Sequence, residues 1–311
     1  MKSCVKFSIL IPAYKETFLK DAINSCLTQT MKSLEVVIVD DCSPEDIGAV
    51  VACFDDERIR YYRNESNIGA LNVVDNWNKC LSLCTGEYVI CMGDDDKLLP
   101  HCLEEYMQLI ERYPSLDVYH ARTATIDEQG TYLDIVPSRC EFENLLEFMR
   151  HRLEGWNQYI GDFCYRTSVL KEMGGFYKKP LAWGSDDITA FKMIGNKGIA
   201  NTQEITFLYR CNSRSISSAN FTDIKLLANI DTFDWISSSL KNWNCITKEE
   251  KLTHDILTKR LNEYKQDFQA AILCQCFKEK KRKCISYFFH RKKYEVFYST
   301  ILKALFSSML R

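Results

Sequence analysis

Two hydrophobic patterns alternate through roughly the first 90 residues, and this alternation restricts the fold more than any other feature of the chain. Phe7 to Ile11 (FSILI) is a nearly unbroken apolar run ended by Pro12, and Leu34 to Val39 is another. Such runs suit strands covered on both faces, as in parallel sheets. Between them, Thr17 to Thr30 carries apolar residues at Phe18, Leu19, Ala22, Ile23, Cys26 and Leu27, a helical period. Ser43-Pro44-Glu45-Asp46 predicts a helix start with an N-cap and a proline in the first turn. Ile59 to Arg63 reads as a short strand, Asn67 to Leu83 as a helix and Glu87 to Met92 as a strand. Strands alternating with helices in this way predict an α/β fold with a doubly wound, mostly parallel sheet flanked by helices.

Beyond Pro100 the pattern predicts a helix over Cys102 to Arg112, a strand over Asp117 to Ile126 and a turn at Asp127 to Gly130. Residues 139–155 read as helical and Tyr159 to Tyr165 as extended. Gly174-Gly175-Phe176 is a turn, Trp183-Gly184-Ser185-Asp186-Asp187 leads into Ile188 to Ile194, and Ile205 to Tyr209 reads as a strand. From Phe221 on glycine vanishes and helix formers dominate. The expected division is therefore residues 1–220, in halves 1–100 and 101–220, followed by a helical, basic C-terminal extension over 221–311.

The formal charge of −2 conceals an asymmetry. Residues 271–311 hold ten Lys or Arg against two Glu, a net of +8, so the first 270 carry −10. An acidic body argues against nucleic acid as a partner and a basic tail argues for contact with something anionic. Lys278 to Lys283 and Arg291 to Lys293 flank aromatic, leucine-rich segments. That arrangement predicts peripheral membrane contact, or a basic helix packed on the body or on another subunit.

The 15 cysteines are scattered through apolar segments, which predicts reduced, buried thiols and a cytoplasmic protein, at or near the inner face of the cell membrane. Cys80/Cys84 and Cys274/Cys276 lack the second cysteine pair that a zinc site would need. Val5 to Tyr14 is too short and strand-like for a signal segment, and no apolar run is long enough to span a bilayer.

The run Tyr88-Val89-Ile90 leads into Cys91-Met92-Gly93-Asp94-Asp95-Asp96, three adjacent carboxylates at a strand end. Crowded carboxylates repel one another and must be solvated, paired or neutralised by a cation. Their hard oxygens suit Mg²⁺ or Mn²⁺, and magnesium commonly combines one or two carboxylates with phosphate oxygens. The competing reading is an acidic loop capping a helix near Pro100, and Asp186-Asp187 could likewise cap the helix at Ile188. Ligands of doubly wound sheets bind at the carboxyl ends of strands, and Pro12-Ala13-Tyr14, Asp40-Asp41 and Asp94-Asp95-Asp96 all fall there. No G-x-G-x-x-G or Walker-type loop follows the first strand, so a nucleotide would hold its phosphates through a metal.

In this order the residues resemble bacterial glycosyltransferase family 2, inverting enzymes of the GT-A fold. The resemblance runs from about residue 5 to 218. It rests on FSILIPAYKE, on Ser25, Gln29 and Thr30, on VIVDDCS (Val37 to Ser43), and on Asn67, Gly69, Asn76, Trp77, Asn78 and Leu81. It continues through Thr85-Gly86-Glu87-Tyr88, MGDDDKLLP, Gly174-Gly175-Phe176, Asp186-Asp187 and Tyr209-Arg210. Three positions depart from the pattern. Lys15 stands for the usual Asn after Tyr14, Gly93 stands for the first Asp of the metal motif, and Asn212 stands for a His. Gly93 moves the metal role to Asp94 and Asp95, and an amide at 212 is a poor ligand.

The resemblance implies a nucleotide-diphosphate sugar donor (UDP-, GDP- or dTDP-linked) and a glycan or lipid-linked acceptor, as in capsule or O-antigen synthesis. It makes 1–100 the nucleotide-binding half and 101–220 the acceptor half. Asp41 would accept a hydrogen bond from the base, with Asp40, Pro12, Ala13, Tyr14, Glu16, Asn67 and Gly69 around it. Asp95 would ligate Mn²⁺ or Mg²⁺, Asp94 would support the metal or hold the ribose, and Asp96 would join them or cap a helix. Arg210 would pair with diphosphate or anchor the last strand. Asp187, in preference to Asp186, would be the general base. Trp156, Tyr159, Asp162 and Trp183 would stack on sugar or pack, while His101, His120 and His151 read as surface or satisfied core residues. A non-catalytic nucleotide-sugar or glycan-binding module is the alternative, with a sugar-1-phosphate nucleotidyltransferase behind it because Pro12-Ala13-Tyr14-Lys15-Glu16 is no glycine-rich basic loop.

Overall fold

The computed structural model describes residues 6–310; residue 5, where the resemblance begins, lies outside them. Two compact units are present. One runs to Lys178 and resumes over Ser185–Ser213, and the other comprises Lys179–Gly184 and the chain from Arg214 on.

The first unit is built on strands β1 (Phe7–Ala13), β2 (Leu34–Asp40), β3 (Ile59–Arg63), β4 (Tyr88–Cys91) and β5 (Lys97–Leu98). They are joined by β6 (Val118–Ile126), β7 (Tyr132–Ile135), β8 (Phe142–Glu143), β9 (Phe163–Arg166) and β10 (Ile199–Arg210). The strand order is β3-β2-β1-β4-β9-β6-β10-β5, with β7 on β6 and β8 on β10. β1 pairs in parallel with β2 and β4, β2 with β3, and β6 with β10, while β9 runs antiparallel between β4 and β6. The sheet is thus mixed but mostly parallel. β1 to β3 step towards one edge and β4 returns to the other side of β1. That reversal opens a crevice at the carboxyl ends of β1 and β4, where Tyr14 and Asp94 emerge.

The helices of this unit are α1 (Leu19–Leu27), α2 (Ile47–Ala52), α3 (Val73–Leu83), α4 (Cys102–Arg112), α5 (Leu145–Leu153), α6 (Thr167–Glu172) and α7 (Ser185–Ile194). The core joins Ile9, Ile11, Val36, Ile38 and Ile90 of the sheet to Leu19, Ile23, Leu103 and Tyr106 of α1 and α4. Three local expectations change. α2 is capped by Asp46, whose carboxylate accepts the Ala49 N–H at 3.0 Å. Ser43 instead sends its hydroxyl to the Tyr14 carbonyl at 2.6 Å. Residues 139–155 divide into β8 and α5, because Asn144 and Glu147 form a capping box that starts the helix late. The triplet caps no helix, since β5 intervenes before α4.

Gly86 lies against β1, and a Cβ there would stand 2.6 Å from the Ser8 nitrogen and 2.8 Å from the Phe7 carbonyl carbon. Both obstacles are backbone and cannot rotate away. Gly86→Ala is expected to destabilise the protein by about 1–3 kcal/mol, as overpacking does, read as a lower urea midpoint; an unchanged midpoint would refute the close approach.

The second unit holds α8 (Thr222–Lys241), α9 (Lys248–Glu279), α10 (Lys283–His290) and α11 (Tyr298–Met309). Leu226, Leu273, Phe277, Tyr287 and Ile301 form its core, and Trp183 packs against them with the Lys225 ammonium 4.6 Å from its ring. Trp183 is therefore a packing residue. Among the described residues no helix is long and apolar enough to cross a membrane.

Candidate active site

Asp40 and Asp41 follow from β2, and both carboxylates are committed. Asp40 accepts the Ser43 N–H at 2.8 Å and the Tyr61 hydroxyl at 2.9 Å, and pairs with Arg63. Asp41 accepts from Asn64 Nδ2 (2.8 Å) and the Ile68 N–H (2.9 Å) on one oxygen, and from Asn67 Nδ2 (3.1 Å) and the Gly69 N–H (3.1 Å) on the other. A carboxylate offers about four lone-pair sites, so the Asp41 side chain is filled by its own loop. In this arrangement Asp41 shapes the 64–69 loop, in which Gly69 has φ +83°. Pro12 and Ala13 close β1, and Tyr14 and Glu16 are exposed beyond it. The Glu16 N–H donates to Glu45 at 2.7 Å.

The three aspartates of the triplet point to different partners. Asp94 Oδ2 accepts the N–H groups of Tyr14 and Lys15, both at 2.8 Å, tying the ends of β1 and β4 together. The Lys15 ammonium lies 3.1 Å from Asp95 Oδ2 and 3.7 Å from Asp94 Oδ1. Asn212 Nδ2 donates to the same Asp95 oxygen at 2.7 Å and so orients the carboxylate. Asp96 Oδ1 accepts the Arg210 N–H at 2.9 Å. Burial, reinforced by the Asp95 charge, holds Asp96 well above the usual carboxylate range. Burial also raises Asp94, partly countered by Lys15. For Lys15 burial pulls down, but Asp94 and Asp95 outweigh it and the amine is raised.

Arg210 is 2 % exposed. Its guanidinium donates to the carbonyls of Asp95 (2.8 Å), Asp127 (3.0 Å) and Glu128 (3.2 Å). These bonds anchor the end of β10 through Nε and Nη1. Among the described residues no group of three His, Cys, Asp or Glu side chains could enclose a metal. The donor chemistry nonetheless fits Mg²⁺ or Mn²⁺ on Asp95 with help from Asp94, because two hard oxygens already face a positive charge and a diphosphate can complete the set. Asp96 gives only Oδ1 to the Arg210 N–H.

Asp186 and Asp187 stand in the first turn of α7, where negative charge is favoured. Asp187 Oδ1 accepts Arg152 Nε and Gln158 Nε2, each at 2.7 Å, and its Oδ2 accepts Arg152 Nη2 at 3.3 Å. Asp186 accepts the Asp187 N–H; burial, then the charge of Asp187, raise its carboxyl to about 7. Asp187 is thus the member held in place by two side chains, and Asp186 the one whose carboxyl is raised. No spacing in the sequence points to Arg152 or Gln158.

The aromatic candidates are engaged in packing. Tyr159 stacks on Tyr209 at 3.8 Å and Trp156 on His151 at 4.2 Å. Asp162, fully buried, accepts the Tyr159 N–H at 3.0 Å and the Thr123 hydroxyl at 3.2 Å. His101 is an exposed partner of Glu104, His120 packs between Phe148 and Phe163, and His151 pairs with Glu143. Two of the sequence motifs prove to be one latch. Asn78 accepts the Phe176 N–H at 2.8 Å and donates to the Phe176 carbonyl at 3.2 Å, and a Cβ on Gly175 would lie 2.2 Å from Asn78 Oδ1.

Comparison with known proteins places these features in context. The family model described as glycosyl transferase family 2 matches residues 8–172. A GalNAc(5)-diNAcBac-PP-undecaprenol beta-1,3-glucosyltransferase of Campylobacter jejuni is 36% identical over 106 residues, 33% of this chain and 34% of that protein. The chain thus spans about a third of that relative's length. A putative teichuronic acid biosynthesis glycosyltransferase, TuaG, of Bacillus subtilis is 27% identical over 220 residues, 68% of this chain and 81% of TuaG. Among solved structures, S. aureus TarS 1-349 in complex with UDP-GlcNAc superposes with a TM-score of 0.62 at 17% identity, covering 97% of this chain and 89% of that one. At that identity the likeness concerns the fold, a mostly parallel sheet flanked by helices with a helical C-terminal region.

Proposed function

Since this chain belongs to glycosyltransferase family 2, we propose that it transfers a sugar, with inversion, from a UDP-sugar to a hydroxyl of a glycan or lipid-linked acceptor in cell-surface polysaccharide synthesis. The observation that carries this reading is the junction at the switch point, where Asp94 clamps the Tyr14-Lys15 backbone and the Lys15 ammonium faces Asp94 and Asp95. UDP is favoured because the TarS structure of like fold holds UDP-GlcNAc. The polysaccharide setting is favoured by the name of the B. subtilis relative, and a lipid-linked acceptor by that of the C. jejuni relative.

In this reading Asp95, supported by Asp94, would hold Mg²⁺ or Mn²⁺, which supplies neutralisation of the charge that grows on the leaving diphosphate. Asp40 and Asp41 keep the loop beside the nucleotide in shape, and Asn212 and Arg210 hold Asp95 and Asp96 in place. Asp186, ionised and partly buried, takes the proton of the acceptor hydroxyl as that oxygen bonds to the anomeric carbon and the C–O bond to diphosphate breaks. Asp187, locked by Arg152 and Gln158, keeps Asp186 basic.

A thermal-shift panel of UDP, GDP and dTDP with and without Mn²⁺ tests the donor reading. A ligand that binds only the folded state stabilises it by about 2.7 kcal/mol at one hundred times its dissociation constant. UDP with Mn²⁺ is expected to give the largest rise in melting temperature, and no rise with any nucleotide would overturn the proposal. Release of free UDP from a UDP-sugar separates an enzyme from a non-catalytic binding module.

A further inference from the structure

The exposed face of the second unit carries a pattern that the transfer reaction does not use. α11 buries Thr300, Ile301, Ala304 and Ser308 on one side. Along its other side lie Tyr298 (45 % exposed), Leu302 (49 %), Phe306 (65 %) and Met309 (54 %), spaced at helical intervals, with Leu310 beyond. α10 buries only Tyr287 and presents Ile285 (59 % exposed), Phe288 (43 %) and Phe289 (77 %). The two helices share this apolar face, because the Phe288 and Tyr298 rings lie 4.5 Å apart. An amphipathic helix with its apolar stripe turned to water signals an unmet partner.

The surrounding charge identifies the partner's chemistry. Residues 280–294 include seven Lys or Arg and no Asp or Glu. Lys280, Lys281, Arg282, Lys292 and Lys293 are exposed. The Arg291 guanidinium lies 4.1 Å from the Tyr298 ring, so positive charge reaches the rim of the apolar stripe itself. A contact with another folded protein would match this face with scattered carboxylates, whereas a bilayer of anionic lipid offers a plane of phosphates over hydrocarbon. Aromatic side chains flanked by cations are suited to that boundary. We propose that the exposed face of α10 and α11 docks on an anionic lipid bilayer, with Phe289, Leu302 and Phe306 entering the acyl boundary and the Lys and Arg cluster resting on headgroup phosphates.

Co-sedimentation of the full chain with vesicles tests this. Binding is expected to vesicles of phosphatidylcholine mixed with phosphatidylglycerol, to be weak on pure phosphatidylcholine, and to fall as salt rises. Lys292→Gln with Lys293→Gln should weaken it roughly fivefold per charge removed. Phe289→Ser with Phe306→Ser, at exposed positions that leave the core intact, should abolish it. Equal binding to both vesicle types, or binding untouched by the Phe289/Phe306 variant, overturns the proposal. So does a concentration-dependent dimer in light scattering that this variant dissolves while vesicles remain unbound, because the face would then join two copies of the chain. The UDP thermal shift is expected to be unchanged in every variant, so failure here is distinct from failure of the donor reading.

Discussion

Asp186→Asn is expected to lower the transfer rate by about 10²- to 10⁴-fold, the usual contribution of a positioned general base, while leaving the donor's KM within a few-fold. The wild-type rate should fall about tenfold per pH unit below 7 and level off above it. The sign follows from the chemistry. Burial and the Asp187 charge raise the Asp186 carboxyl to about 7, and only its ionised form accepts a proton. Asp187→Asn removes the neighbouring charge, which lowers Asp186 and shifts the acid limb of the profile to lower pH. It also leaves the Arg152 guanidinium without the carboxylate it grips at 2.7 Å. Breaking such a pair costs about 3–5 kcal/mol when it is buried, so Asp187→Asn should lower the melting temperature. Asp186→Asn should not, since Asn resembles the neutral form that burial already favours. A full-rate Asp186→Asn variant, or a flat pH profile between 5 and 8, would remove Asp186 from the proton-transfer step.

The two members of this pair show where sequence reading stops. An acidic pair at the start of a helix is visible in the chain, but which member is locked depends on Arg152 and Gln158, 35 and 29 residues away from Asp187. No period or motif joins those positions. Asp41 gives the same lesson. A carboxylate at a strand end can face a ligand or its own loop, and the choice is made by Asn64, Asn67, Ile68 and Gly69, 23 to 28 residues downstream. Arg210 anchors to carbonyls 82 to 115 residues away, a distance that no local pattern spans.

The central strands β1, β2 and β4, by contrast, are legible because burial on both faces writes its constraint at nearly every position, whereas β7, exposed throughout, carries no such pattern. In β2 all seven residues are buried. The helix starts were less so, since Ser43 and Asp46 both qualify as caps and only the competing bond from Ser43 to Tyr14 decides between them. The strand run over Ile205 to Tyr209 was read short because Asn201 and Thr202 break its apolar pattern, although the ladder with β6 continues, through bulges, back to Ala200.

Lys15 supports the second large prediction. Its ammonium faces Asp94 and Asp95 where a divalent ion would be held, so an ion binding there would compete with the amine. A nucleotide diphosphate offers that amine a new partner, since phosphate is a favoured acceptor for lysine. Metal and donor should therefore bind together better than either binds alone. Unit charges about 4 Å apart interact by about 4 kcal/mol at the effective dielectric of a protein surface, so removing the ammonium should strengthen binding of the bare ion at least tenfold. Titration calorimetry of Lys15→Met with Mn²⁺, without nucleotide, is expected to show that gain. The same variant should bind UDP less tightly. Asp95→Ala should lose the Mn²⁺-dependent part of the UDP thermal shift and lower the transfer rate about 10³-fold, as loss of several kcal/mol of transition-state charge stabilisation requires. If Lys15→Met leaves Mn²⁺ affinity unchanged, the ammonium does not guard the ion's place. If Asp95→Ala keeps both the shift and the rate, the metal lies elsewhere or takes no part, and the charge on the leaving diphosphate must be met by Lys15 itself.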